Sequence, residues 1–490
     1  MIVKMKYILI IIFTFILADA SAQDSQVMYF MNLPQNHLLN PALRPSNSVY
    51  IGLPVVSGIN LNINNNFVNF SDVFMKGQPK DSIISILNPN YNVDKFLAKI
   101  NDKNSIEPEV KIQLLGVGFS VGKDGYVFLD INERIDGNVV LPGDLFKLAL
   151  KGNEGFAGSK INLSSLRGDL KYYREVGLGF SRNFTDKLRI GIKGKLLFGI
   201  ADASIDNKSL AITVNNDYSH TFDANLAVNL SGPVNVYMDS KHNIDSVVFD
   251  NNRFKSSSGI TNFFSGKKNM GLGLDIGATY DLTERLVISA SITDLGYIRW
   301  NKDITNLQAN NQFKFSGLNM LDFFNGSKTI DELGKDYLDS LKNAFVVSKT
   351  AKAFTTYLPF GISVGGSYNV TKQFSVGLLS YSRIIEKQIR EALTLSANIN
   401  LGSALSTSLS YTAENHQYDN FGAGLAFRAG IAQFYLVTDR IPIMWNRIKD
   451  DKTNIIIPAN WNTFNLRLGM NLVFGNKPKE KNDKPMIQVE

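Results

Sequence analysis

Gly361-Ile362-Ser363-Val364-Gly365 has the spelling of a hydrolase nucleophile. That chemistry needs the Ser on a sharp turn from strand into helix, where its hydroxyl stands exposed. Here Phe360, Ile362, Val364 and Tyr368 alternate with Gly361, Ser363, Gly365 and Ser367. A straight strand therefore runs through the string, and Ser363 reads as an inward-facing strand residue. The four His, at 37, 220, 242 and 416, are scattered, and there is no Cys. Zinc-type clusters are not expected, and thiolate sites, disulfides and a Cys-linked lipid anchor are excluded on that ground. His416 falls in a short loop with no Ser and carboxylate to complete a triad. The pairs Gly116/Gly118, Gly177/Gly179 and Gly271/Gly273 lack the helix that a dinucleotide fingerprint requires, and read as strand glycines. The expectation is a non-enzymatic protein without catalytic, cofactor or metal residues.

The elements that carry these residues belong to a chain of 490 residues, 44% hydrophobic, 11% aromatic and 19% charged. It is too apolar for a disordered chain and long enough for one large β-architecture. The net charge of +7 is mild for this length, and no basic run tracks a nucleic-acid backbone. Lys4 and Lys6 precede an apolar run from Tyr7 to Leu17, and Ala20-Ser21-Ala22 follows. That order is a secretory signal peptide over 1–22. No later stretch is apolar for long enough to cross a membrane as a helix.

Period-two alternation dominates the rest. Phe464, Leu466, Leu468, Met470, Leu472 and Phe474 share one face of a closing strand. Leu188, Ile190, Ile192, Leu196 and Phe198 alternate with Arg189, Gly191, Lys193 and Lys195. Leu272, Leu274, Ile276 and Tyr280 alternate with Gly273, Asp275, Gly277 and Thr279. In these strands the apolar face carries no charge, which suits lipid, where Lys or Arg costs roughly 2–4 kcal/mol at the midplane. The other face is small and polar. Lys193, Lys195, Asp275, Arg428 and Arg467 are the lumen-facing candidates.

A repeat supplies the turns. Asn183-Phe184-Thr185-Asp186-Lys187-Leu188 returns as Asp281-Leu282-Thr283-Glu284-Arg285-Leu286 and as Asn369-Val370-Thr371-Lys372-Gln373-Phe374. Each copy joins two alternating segments as a short hairpin turn. Strands are expected near 49–64, 112–122, 125–133, 172–182, 187–200, 271–281, 285–298, 357–369, 373–384, 391–400, 404–413, 420–429, 431–439 and 461–474. The links after the even-numbered strands are tight, and most of the others are long. Tight turns at one end and long loops at the other predict an all-β, transmembrane antiparallel barrel of about fourteen strands in the outer membrane. Short helices are expected in Asp81–Ile100 and Asp331–Val347, while 201–270 shows no readable pattern. Tyr172, Tyr173, Tyr297, Trp300, Tyr357, Tyr381, Tyr411, Trp445 and Trp461 are expected in aromatic girdles.

Fourteen strands enclose more space than Gly, Ser and Asn can fill. Residues 23–48 are too apolar for a free tail, with Met28, Tyr29, Phe30, Met31, Leu33, Leu39 and Leu43. They are expected to enter the barrel as a plug, with Asn40, Pro41 and Ala42 turning the chain into the first strand. The barrel then covers 49–474, and 475–490 form a Lys-rich periplasmic tail.

The stretch from Met28 to Gln35, then Leu39-Asn40-Pro41-Ala42, resembles the start of an uncharacterised family of Bacteroidota outer-membrane barrels. The closing Asn465-Leu466-Arg467-Leu468-Gly469-Met470-Asn471-Leu472-Val473-Phe474-Gly475 is similar to that family's end. The Asn-Pro-Ala element also resembles fourteen-stranded barrels of the fatty-acid-transporter type and relatives associated with type IX secretion. The resemblance implies two roles within one fold. One is a passive conduit for small hydrophobic ligands. The other is a docking or assembly component for secretion or cell-surface machinery. The expected partners are outer-membrane lipid and either such a ligand or such a protein.

Overall fold

Alternating strands with one apolar face close on themselves when each edge finds a partner. A computed structural model of the chain shows that closure. It describes residues 26–476 apart from 77–82, 87, 89–90, 218, 241–242, 260, 262–267, 316–346, 386–387, 403, 415–416, 443–444, 451–452 and 459–461. The expected signal peptide, nearly all of the expected tail, most of Asp331–Val347, His242, His416 and Trp461 lie outside the described residues.

The barrel strands are β1 (Asn47–Gly52 and Ile59–Asn65), β2 (Lys103–Val121), β3 (Gly125–Pro142), β4 (Arg167–Asn183) and β5 (Leu188–Val214). They continue as β6 (Met270–Asp281), β7 (Leu286–Trp300), β8 (Phe360–Asn369), β9 (Phe374–Ile385) and β10 (Gln388–Leu401). The circle is completed by β11 (Leu405–Glu414), β12 (Gln417–Ala429), β13 (Ala432–Thr438) and β14 (Thr463–Asn476). Each pairs antiparallel with its neighbours in sequence. Both parts of β1 pair with β14 on one side and β2 on the other, which closes the fourteen-stranded ring.

The repeated turns share one construction. Thr185 Oγ1 accepts from the Lys187 and Leu188 amides, Thr283 Oγ1 from Arg285 and Leu286, and Thr371 Oγ1 from Gln373 and Phe374. Gly430, at φ 62, makes the β12–β13 turn in the left-handed region that a Cβ disfavours. These turns gather at one end of the barrel.

Leu178, Ile192, Leu272, Val364, Leu395 and Leu409 stand exposed on the outer wall. Their strand neighbours are small and polar and face inward: Ser363, for example, is buried and hydrogen-bonds Ser291 at 2.6 Å. The ion pair of Arg174 Nε with Glu133 Oε1, at 2.7 Å, interrupts the outer apolar band. Three expected girdle residues are corrected. Tyr173, Trp300 and Tyr381 are buried, and the first two pack with Leu197, Ile298 and Leu358 inside the barrel. Their strand parity points them inward. Tyr297 and Tyr357 stay exposed on the outside.

The other end is built up. β5 runs 27 residues and continues past the barrel. Its far half pairs with Ser159–Asn162 and with His220–Ser231, which pairs with Ile304–Phe315, which in turn pairs with Val347–Thr350. This cap sheet buries Ile161, Leu163, Leu210, Ile212, Val214 and Phe222. The helix Gly143–Lys151 packs Leu145 and Leu148 on that core. In Asp81–Ile100 the described helix is only Val93–Leu97, capped by Asn92 Oδ1 on the Lys95 amide. Ile83–Ser85 is instead a strand paired with Phe74–Lys76.

Candidate functional site

The bore is filled in layers, starting at the tight-turn end with residues 26–46. A short helix, Gln26–Tyr29, and a 3-10 turn, Pro34–Leu38, lie inside the ring. Val27, Met28, Met31, Leu33 and Leu39 are buried with Leu379, Ala426, Tyr435 and Val437 of the wall. Such burial stabilises the segment by up to ~1.5–3 kcal/mol for each large apolar side chain. Asn32 Nδ2 donates to the Gly402 carbonyl and Arg44 Nη2 to the Asp124 carbonyl, both in the tight turns.

Asn40, Pro41 and Ala42 sit against β5, β6 and β7. Asn40 Nδ2 donates to the Ala278 and Ala290 carbonyls at 3.4 and 3.3 Å, and its Oδ1 accepts from the Ala42 amide at 2.9 Å. The wall makes room by omitting side chains. A Cβ on Gly277 would come within 2.0 Å of Asn40 Oδ1, and one on Gly191 within 2.2 Å of the Pro41 carbonyl.

Above this segment lies a belt of buried charge. Lys193 Nζ reaches Glu175 at 2.9 Å and Asp130 at 3.2 Å. Lys195 reaches Asp275 at 2.6 Å. Arg134 binds Asp294 at 2.8 Å and Glu175 at 3.3 Å, and Arg383 binds Glu109 at 3.0 Å. Arg390 pairs with Glu107. Asp294 takes a positive φ of 63 at a bulge in β7, which turns its carboxylate into the bore. Taking these ions out of water is costly, so each is held by at least one opposite charge. The belt and the N-terminal segment meet at His37. Its Nε2 lies 2.7 Å from Asp130 Oδ2 and its Nδ1 2.5 Å from the Pro34 carbonyl, so both ring nitrogens face acceptors.

Of the lumen-facing candidates, Lys193, Lys195 and Asp275 come together in the belt. Arg467 is buried lower down, 3.2 Å from Met28 Sδ. Arg428 sits apart at the tight-turn rim, donating to Asn47 Oδ1 at 3.0 Å and to the Gly430 carbonyl. Sequence reasoning missed His37, Asp130, Arg134, Glu175 and Asp294. The signal for two of them lay in β3, where Tyr126, Phe128, Asp130, Asn132, Arg134 and Asp136 keep period two beyond residue 133.

Past the belt, Tyr173, Trp300 and Leu358 form an apolar layer, with Tyr173 Oη donating to Asp136 at 2.6 Å and Trp300 Nε1 to Thr356 at 2.9 Å. Beyond it, at the junction with the cap, a cavity of about 1350 Å³ opens. Phe354, Leu358, Pro359, Phe360, Ile384 and Ile385 form its apolar side. No group of His, Asp and Glu arranged to hold a metal occurs among the described residues.

Among solved structures the chain is similar to a Pseudomonas aeruginosa FadL homologue, at 9% identity and a TM-score of 0.40, over 93% of this chain and 100% of that one. It is similar to the Ralstonia pickettii toluene transporter TbuX, at 9% identity and 0.41, over 92% and 98%. It is also similar to the Pseudomonas putida toluene transporter TodX, at 9% identity and 0.36, over 93% and 95%. A comparison with curated proteins finds no match. A family model matches residues 41–439, from the last turn of the N-terminal segment to the end of β13, and the chain belongs to that family of unknown function, DUF5723.

Proposed function

We propose that the protein is a non-enzymatic outer-membrane barrel, exported by its signal peptide, that serves as a passive conduit for small hydrophobic ligands. The observation that carries the reading is the cavity between cap and belt, with one wall of Phe354, Leu358, Phe360 and Ile385. A polar pore has no use for such a wall, and ligand cavities are commonly apolar with a few placed polar groups. The tight turns face the periplasm and the cap faces outward in this reading. Residues 26–46 then act as a plug on the periplasmic side, with Asn40, Pro41 and Ala42 as its anchor. The test is uptake of a small apolar fluorophore such as N-phenylnaphthylamine. Cells that carry the protein should take it up faster than cells that lack it, and equal rates would overturn the reading.

A second reading, docking of secretion or surface proteins, draws on one feature of the cap. The hairpin Val234–Met238 with Ile244–Phe249 leaves Tyr237 and Val248 exposed on one face and Val247 and Phe249 on the other. Exposed apolar groups of this kind mark contact surfaces. Purification from outer membranes separates the two: a retained lipid-like molecule favours the conduit, and a stoichiometric protein favours docking.

A further inference from the structure

The cavity under the cap has a polar side rich in carboxylates, of which Asp144 is paired with Lys147 and Asp169 with Lys171. Asp102, Asp144, Asp169 and Asp206 line it against Lys103 and Arg167. Where β4 and β5 leave the barrel, Asp169, Lys171 and Asp202 stand together. Residues 188–200 of β5 span the wall, so Asp202 belongs to the continuation into the cap. Lys171 is the cross-strand partner of Asp202, but its ammonium is spent on Asp169 Oδ2. Asp202 is 4% exposed, and neither of its carboxylate oxygens makes a hydrogen bond. Asp169 Oδ1 has no partner either. The Asp202 carboxylate comes close to the Ser204 and Thr356 hydroxyls, both on the cavity wall, without completing a bond to either.

One lysine thus serves two carboxylates, Asp202 buried and Asp169 partly exposed. Burial first, and Asp169 second, push Asp202 up to about 7. Buried carboxylates left unmatched are costly, and a group bearing positive charge and N–H donors would relieve both. The apolar wall across the cavity offers a place for the rest of such a molecule. We propose that the cavity selects a cationic amphiphile, a small ligand with a protonated amine held by Asp169 on the cavity wall and by Asp202 just behind it, beside Ser204 and Thr356, and an apolar body against Phe354, Phe360 and Ile385. This inference rests on the conduit reading and names the ligand's polar end.

The test uses the full mature chain in maltoside micelles, in mildly alkaline buffer where a primary amine is still protonated. Octylamine, octanol and octanoate share one apolar body and differ only in the head, and their binding is compared by isothermal titration. Octylamine should bind about tenfold tighter than octanol or more, the worth of a hydrogen bond to a charged group. Asp202→Asn should remove most of that advantage and leave octanol binding unchanged. Asp169→Asn is the second variant, and heat-modifiable gel mobility checks that each is folded. Equal binding of amine and alcohol, tighter binding of octanoate, or an advantage that survives both substitutions would overturn the assignment. Failure of all three compounds to bind would instead overturn the conduit reading itself.

Discussion

His37 Nε2 lies 2.7 Å from Asp130 Oδ2, and this contact joins the N-terminal segment to the charge belt of the wall. Phe128 lies beside the His37 ring, with centroids 4.3 Å apart. His37→Ala should cost the docked segment about 1.5–3 kcal/mol, as for a hydrogen bond to a charged group. Protease should then cut within 26–46 faster on the purified barrel, while the strands stay protected. His37→Gln keeps a donor and should recover part of the protection. Unchanged cleavage in His37→Ala would show that the remaining polar and apolar contacts hold the segment without it.

Leu468 and Arg467 are neighbours on β14 with opposite surroundings. Leu468 is exposed on the outer wall, and Arg467 is buried in the bore. Leu468→Arg should cost roughly 2–4 kcal/mol near the midplane and cripple assembly, while Arg467→Leu is tolerated better. Folded yield, read from heat-modifiable mobility, distinguishes them; equal losses would sink the assignment of faces.

Orientation is open to direct labelling. Epitope tags within 201–270 or 305–330 should be reached by antibody or protease on intact cells. Tags at Asp186, Glu284 or Lys372, in or beside the Thr-capped turns, should stay hidden until the outer membrane is broken. Surface reactivity of the second set would invert the barrel.

Deleting 25–38 removes most of the buried apolar groups that fill the tight-turn end. The barrel should still assemble, since its fourteen strands pair without them. Single-channel conductance and sensitivity to bulky antibiotics should rise. If conductance does not change, the belt around Arg134, Glu175 and Lys193 is what closes the bore.

The fourteen strands were legible because lipid on one side and the bore on the other impose alternation along most of each strand. The Thr-containing turns were legible as a repeat because the same side-chain hydrogen bonds recur in each. Alternation failed past Ile200. There β5 shifts register against β4 between Tyr172 and Tyr173, and again near Lys208 against His220–Ser231. Each bulge flips which residues are buried, so the cap strands lose their period. Single inward charges such as Lys193 could be placed on a face, but their partners could not. Glu175 and Asp130 lie on other strands, and Asp294 points inward only because its backbone takes a positive φ.

Because β5 is one continuous strand through wall and cap, the facing of the cap residues follows from the registration of the wall through the two intervening bulges. A slip of one residue between β4 and β5 would turn Lys193 and Lys195 toward lipid. The same slip would swing Leu210, Ile212 and Val214 out of the cap core. Both errors arise from one event, so a misaligned chain is penalised at two distant places at once. A misthreaded wall would therefore also disturb the folding of the cap.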